Sequence, residues 1–298
     1  MQESVSHSNI RNQMKKTATI IVSIVTLLAV SCTKDPQAPE RGTALAYRTA
    51  GEFSVSENLK VRFSPGNLQY RATTHEFRFA EHQWDYIGDD NINIGSNYDG
   101  WIDLFGWGTS GFMIAPYTST QDPDAYTNDG NSATNNNYDW GVFNAIVNGG
   151  NTQGAWRTLS SEEWEYLLDG REKADQKVAP ALVCDVPGIV ILSDYFAVPD
   201  SCVFAATFDN GFESNIYDEH FWNKMAAAGA VFLPAAGYRD GAVILDCDEY
   251  GAYWSTTFNP THQAFAVCFS PYQISIPLLA NQNFYGNSVR LVQNITED

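Results

Sequence analysis

The chain of 298 residues reads as an α+β protein. Three observations predict that class. Residues 160–169 and 218–228 carry helical spacing, each with a capping residue in front and a Gly behind. Other short stretches alternate apolar and polar residues between Gly, Pro and Asn, the pattern of brief half-buried strands. Residues 88–151 are rich in Gly, Asn and Asp, yet they carry Trp101, Phe105, Trp107, Phe112, Tyr117, Trp140 and Phe143. Rings in that number are costly to leave in water, so the region is expected to be ordered loop.

Along the chain, the first feature is an export signal. Lys15 and Lys16 precede an apolar run from Thr17 to Val30, which is too short to span a bilayer comfortably. The run ends in Leu28-Ala29-Val30-Ser31-Cys32. Small residues before a Cys resemble the bacterial lipobox, at which the signal is cut and the thiol diacylated. Residues 1–31 are therefore expected to be a signal peptide and Cys32 the lipid attachment site. Residues 32–44, containing TKDPQAPER, read as a polar tether. The expected partner of Cys32 is outer-membrane lipid, held stably because two or three acyl chains anchor where one is marginal. Lys34-Asp35 resembles the surface-export signal of some envelope lipoproteins, and the cell surface is the expected location.

The remaining residues, 45–298, are expected to form one domain. Residues 51–70 alternate around Pro65-Gly66 and read as two strands. Residues 75–86 continue the alternation with Phe77, Phe79 and Trp84. In the first helix, Ser160 and Glu163 form a capping box, and Trp164, Leu167 and Leu168 share one face. The second is capped by Asp218, stopped by Gly229 and striped by Phe221, Trp222 and Met225. Strands are expected at 230–233, 242–245, 252–255, 264–269 and 288–292.

Formal net charge is −18, and −20 once residues 1–31, with Arg11, Lys15, Lys16 and Glu3, are removed. A surface of that sign repels phosphate backbones, so nucleic acid is not an expected partner. Beyond Cys32 stand Cys184, Cys202, Cys247 and Cys268, which an exported protein could join in three ways. Cys202 and Cys268 lie beside Val203, Val267 and Phe269, which favours small core residues over bridges.

Three segments carry a resemblance: WRTLSSEEWEYLL (156–168), AAAGAVFLPAAGYRDG (226–241), and GAYWSTTF through YGNSVRLV (251–292). They resemble the FISUMP, or major paralogous domain, lipoproteins, and through them the formylglycine-generating-enzyme branch of the C-type-lectin-like fold. Thr158 and Leu159 stand where that pattern has Leu and Pro. The resemblance implies a C-type-lectin-like domain with short antiparallel strands, two helices and long ordered loops. Residues 51–110 would be an N-terminal β extension. It also implies core roles for Trp164 and Trp254, and an Arg290 paired with a carboxylate or loop carbonyls.

Chemistry is harder to find. The enzymatic relatives use two Cys and a metal, whereas Cys268 has no second Cys nearby, and Cys247 lies among Asp246, Asp248 and Glu249. Both settings disfavour a thiolate. Neither G-x-S-x-G nor H-E-x-x-H occurs. Calcium is the one cofactor the residues suggest: residues 89–95 place oxygens at alternate positions, but Ile94 stands where a cation loop needs Gly and Gly100 where it needs Glu. No cofactor, metal or catalytic residue is therefore expected. The expected role is non-catalytic recognition or adhesion toward an extracellular glycan or protein. Its face would be the C-terminal loops of such a fold, with Phe258, Asn259, Tyr272, Asn281, Asn283, Phe284 and Tyr285 as ligand-binding candidates. The rivals are a carbohydrate-active or formylglycine-generating-type enzyme and a structural surface-assembly subunit.

Overall fold

The computed structural model describes residues 51–92, 94–126, 136–259 and 261–295. The expected export signal, Cys32 and the expected tether lie outside the described residues, as does Asn93 within the 89–95 stretch considered for calcium. Within them the protein is α+β, built of small sheets whose pairings are antiparallel with one exception, plus few helices.

The alternation after Gly51 yields three strands. β1 (Phe53–Ser54) and β2 (Lys60–Phe63) form a hairpin, and β3 (Leu68–Arg71) follows the Pro65-Gly66 turn. The strands flanking that turn do not pair with each other. β2 lies between β1 and β16 (Val292–Asn294), while β3 lies between β4 (Glu76–Phe79) and β5 (Trp101–Ile102). The turn is a corner between two sheets. Gly66 is needed there because a Cβ would stand 2.5 Å from the Ala80 carbonyl oxygen.

The largest surprise is the sheet β8-β6-β7-β9. It comprises β6 (Val178–Val183), β7 (Val186–Leu192), β8 (Ile216–Tyr217) and β9 (Ala230–Pro234), with β8 parallel to β6. The β6–β7 hairpin was not expected from the sequence. Its strands are near-continuous apolar runs, and Pro180 and Pro187 argue against strand. The structure supplies the reason: β7 is buried on both faces. Ile189 and Ile191 enter one core cluster, Val190 and Leu192 another. Its turn is Cys184-Asp185, both with left-handed φ (51° and 65°), as a two-residue type I′ hairpin demands. Cys184 is thus a half-buried turn residue, and all four described cysteines are free thiols, with Cys268 alone fully buried.

The first expected helix is α2 (Ser161–Glu165), continued by one π turn over Tyr166–Gly170. The reciprocal capping box of Ser160 and Glu163 is present. Trp164 and Leu167 are fully buried against Phe53 and Phe63. The second is α3 (Glu219–Ala227), capped by Asp218 and stopped at Gly229 with φ of 103°. Trp222 and Met225 pack on Phe232, while Phe221 stays half-buried.

The C-terminal half adds β10 (Tyr238–Asp240) paired with β11 (Val243–Leu245), and the long hairpin of β12 (Gly251–Asn259) and β13 (Gln263–Ser270). β14 (Gln273–Ile274) and β15 (Leu279–Gln282) both pair with β13. The strand expected at 288–292 is displaced. Only Val292–Asn294 forms a ladder, while Ser288–Leu291 are stitched alternately to β12 and to the β2–β3 corner. Arg290 is fully buried there, and its hydrogen bonds go to amide oxygens, Asn67 Oδ1 at 3.2 Å and Gln83 Oε1 at 3.0 Å. Of the carboxylate or loop carbonyls expected for it, it meets carbonyl oxygens, those of side-chain amides, and burial pushes its pKa down to about 10.

Candidate functional site

The long loop ends in a short helix, α1 (Trp140–Phe143), and its cap organises the site. Asp139 Oδ1 accepts from Gly141 N at 2.8 Å and Val142 N at 3.3 Å. Its Oδ2 reaches across to Thr158 N at 2.8 Å. One carboxylate therefore starts the helix and ties it to the strand-like segment before α2. Burial raises the Asp139 pKa, and these backbone N–H groups oppose the rise. Gly141 permits the approach, since a Cβ would lie 2.6 Å from the Trp156 carbonyl.

Across from α1 stands the capping box. Arg157 grips Glu163 with two parallel bonds, Nη1–Oε2 at 2.6 Å and Nη2–Oε1 at 2.7 Å. Glu163 Oε2 also accepts from Ser160 N at 2.9 Å. The carboxylate expected to be a cap is a cap, and it additionally neutralises a cation. β12 closes the third side, with Thr256 N donating to Leu159 O at 2.9 Å. Thr257 Oγ1 accepts from Ser161 N at 2.9 Å.

These elements enclose a recess of about 370 Å³, lined among others by Trp107, Tyr138, Trp140, Thr158, Ser160 and Thr256. Its size and mixed lining suit a small organic ligand. Trp107 donates its indole N–H to Ser255 O at 3.0 Å and is stacked by Phe258, with centroids 4.7 Å apart and planes at 25°. Trp140 is only 1% exposed, and its Nε1–H has no hydrogen-bond partner among the described residues. A wider hollow of about 650 Å³ shares Arg157 and Val142 and runs along the main chain of Val292–Ile295.

The expected ligand residues do not form one face. Phe258 reaches the recess through Trp107. Asn259, at the hairpin tip, accepts from Thr261 N at 3.2 Å. Asn281 lies on β15 opposite Ala264 and points an amide at Cys268 Sγ, 3.7 Å away. Asn283 is 0% exposed: its side-chain amide donates to Pro123 O at 3.0 Å, and its main-chain carbonyl accepts from Trp107 N at 2.8 Å. Phe284 and Tyr285 pack edge to face at 5.1 Å, and Tyr285 also meets Tyr238 at 5.3 Å. Tyr272 is 69% exposed but stands beyond Ser270, at the far end of β13 from Asn259, roughly 23 Å away along the strand.

The residues that do converge, Trp107, Asp139, Trp140, Arg157 and Thr158, were not singled out as binders from the sequence. The signal that could have found them is Asp139 before Trp140-Gly141, an N-cap residue type, though it says nothing of what α1 faces. Three of the thiols are poorly suited to nucleophilic work: burial, with nearby carboxylates, pushes Cys184 and Cys247 up to about 11, and burial raises Cys268. Among the described residues no group of three or more His, Cys, Asp or Glu side chains is placed to hold a metal ion. Set against known proteins, the chain matches no family model, no curated protein and no solved structure.

Proposed function

We propose that this chain is a lipid-anchored outer-membrane protein of the FISUMP type. Its C-type-lectin-like domain recognises an extracellular glycan or protein without transforming it. The anchor rests on the basic residues, the short apolar run and the small residues before Cys32. The family reading rests on the three sequence segments named above. The α+β architecture and the capping box at Ser160–Glu163 are compatible with it.

One observation carries the recognition role, namely the recess of about 370 Å³ beside Trp107, lined by aromatic and hydroxyl-bearing residues from α1, the capping box and β12. The expected ligand face moves accordingly, from the C-terminal loops at large to the ground between Phe258, Trp107 and α1. High thiol pKa values weigh against the formylglycine-generating alternative, which needs a reactive Cys.

The test has two arms. Protease treatment of intact cells should remove the protein if it faces outward. Arrays of glycans and of extracellular proteins, probed with the full chain in mild detergent, should return specific binding that leaves the bound molecule chemically unchanged. Released sugar or oxidised peptide thiol would refute the non-catalytic reading, and absence of any binding would refute recognition.

A further inference from the structure

Away from the recess, we propose that the outer face of the β4-β3-β5 sheet is an oxyanion site, where Arg71 and Arg78, both laid on the ring of Trp101, hold a single carboxylate or sulfate carried by an otherwise neutral saccharide. The choice of a saccharide rests on the recognition role above, whereas the oxyanion site stands on its own geometry.

Strand alternation builds the face. Leu68, Tyr70, Phe77, Phe79 and Ile102 turn inward to the core that holds Trp107 and Trp140. Their neighbours therefore point outward: Arg71 on β3, opposite Trp101 of β5 and Glu76 of β4, and Arg78 on β4, opposite Gln69. The guanidinium carbons of Arg71 and Arg78 lie 4.3 and 3.8 Å from the centroid of the Trp101 ring. The ring steadies both cations and neutralises neither.

The other described arginines show why this pair stands out. Arg62, Arg157 and Arg171 each meet a carboxylate, at 3.2, 2.6 and 3.1 Å. Arg239 and Arg290 are fully buried and donate to main-chain or amide oxygens. Arg71 and Arg78 are half-buried, and no described carboxylate, Glu76 included, comes within 4.0 Å of either guanidinium. Arg78 uses only Nε, which donates to Gln69 Oε1 at 2.9 Å. Arg71 Nε is buried without a partner, but the four Nη atoms of the pair are not buried and have no hydrogen-bond partner among the described residues. They are open to a ligand.

Two like charges on one ring without a counter-ion repel each other, and burial together with the Arg71 charge lowers the Arg78 pKa. An oxyanion shared by the two would relieve that repulsion, and the guanidinium fork matches its oxygens. The surroundings limit what can carry it. Glu81 and Asp85 are near enough to act on Arg78, and Asp99 accepts from Thr73 Oγ1 at the β3–β4 turn. A densely acidic partner would be repelled by these carboxylates and by the formal charge of −18. An isolated oxyanion on a neutral scaffold, such as an acidic saccharide, suits the site.

The experiment is calorimetric titration of the full chain in mild detergent with lactose, sialyllactose, sulfated lactose and the acidic peptide triglutamate, at low salt and in 1 M NaCl. Sialyllactose or sulfated lactose should bind at low salt about tenfold or more tighter than lactose and triglutamate, and high salt should weaken it. The tighter of the two acids identifies the oxyanion. Arg71→Gln and Arg78→Gln should each weaken that binding about tenfold or more. Arg71→Gln carries the test if Arg78→Gln fails to fold by thermal melt, because the Arg71 side chain makes no hydrogen bond among the described residues. Lys173→Gln, which removes the same charge from an exposed position after α2, should leave affinity unchanged. Acids bound no tighter than lactose, or a loss in Lys173→Gln equal to that in Arg71→Gln, would overturn the site. Tighter binding of triglutamate would overturn the saccharide while leaving the oxyanion site standing. If neither acid binds and the arrays still return a ligand, this site falls and recognition stands. Silence in both would remove both.

Discussion

Glu163 holds two jobs that substitution can separate. Glu163→Gln keeps an oxygen for the Ser160 N–H and so preserves the capping box, but it loses the ion pair with Arg157. Glu163→Ala loses both. The side chains of Arg157 and Glu163 are 23% and 17% exposed, so the pair is partly screened and is worth about 1 kcal/mol rather than the value of a dry pair. The bond from Ser160 N at 2.9 Å adds about 1 kcal/mol. Glu163→Gln should therefore cost about 1 kcal/mol and Glu163→Ala about 2, or melting-temperature drops of about 2–4 °C and 4–8 °C for a domain of this size. The assay is thermal unfolding of the full chain carrying Cys32→Ser, so that no acyl group is attached, at low salt and in 1 M NaCl. Salt should shrink the Gln effect and leave the extra loss in Ala. Equal melting temperatures for Gln and Ala would show that the cap contributes nothing. An Ala variant as stable as wild type would refute the view that Glu163 stabilises the fold as cap and ion-pair partner.

Further outcomes follow from particular atoms. Burial pushes the Asp103 pKa up to about 6, against 3.8 ordinarily, although Ile87 N and Asn91 Nδ2 donate to it. The folded state thus binds this proton more tightly than the unfolded chain. Its contribution to stability should rise as pH falls from above about 6 to below about 4, by up to about 3 kcal/mol. The melting-temperature difference between wild type and Asp103→Asn, followed from pH 7 to 4, should change in wild type's favour, and a constant difference would contradict the shift. Gly141→Ala should destabilise by about 1–3 kcal/mol because its Cβ would meet the Trp156 main chain at 2.6 Å, whereas Gly95→Ala, with nothing within 4 Å, should be neutral or slightly stabilising in the same urea titration. Cys32→Ser should abolish fatty-acid labelling and move the protein out of the membrane fraction. Retention there would end the lipoprotein reading.

Much was legible where the cause is local. A Ser160–Glu163 capping box and an Asp218 cap depend on atoms three residues apart, and both formed at the expected places. Aromatics in the long loop are costly in water wherever they lie, and the described ones include the buried Phe105, Trp107 and Trp140. The charge of −18 and the pattern read as an export signal are likewise properties of residue order and count.

What depends on distant partners was not legible. The apolar run of β7 has no period until two cores are known to flank it. Pro65-Gly66 looks the same whether it closes a hairpin or turns a corner between sheets. Asn283 and Tyr272 belong to one stretch of sequence, yet a single reversal at β14 and β15 buries the first and leaves the second in solvent. The recess itself joins α1, the capping box about twenty positions on and β12 about a hundred beyond that, brought together by the Thr158–Asp139 and Thr256–Leu159 hydrogen bonds across those gaps. Sequence alone determined the caps, the buried rings, the charge and the expected anchor, since each is decided by neighbours along the chain. Only the tertiary structure decided which surfaces meet, because hydrophobic burial is non-directional and becomes a particular site once long-range hydrogen bonds select one packing.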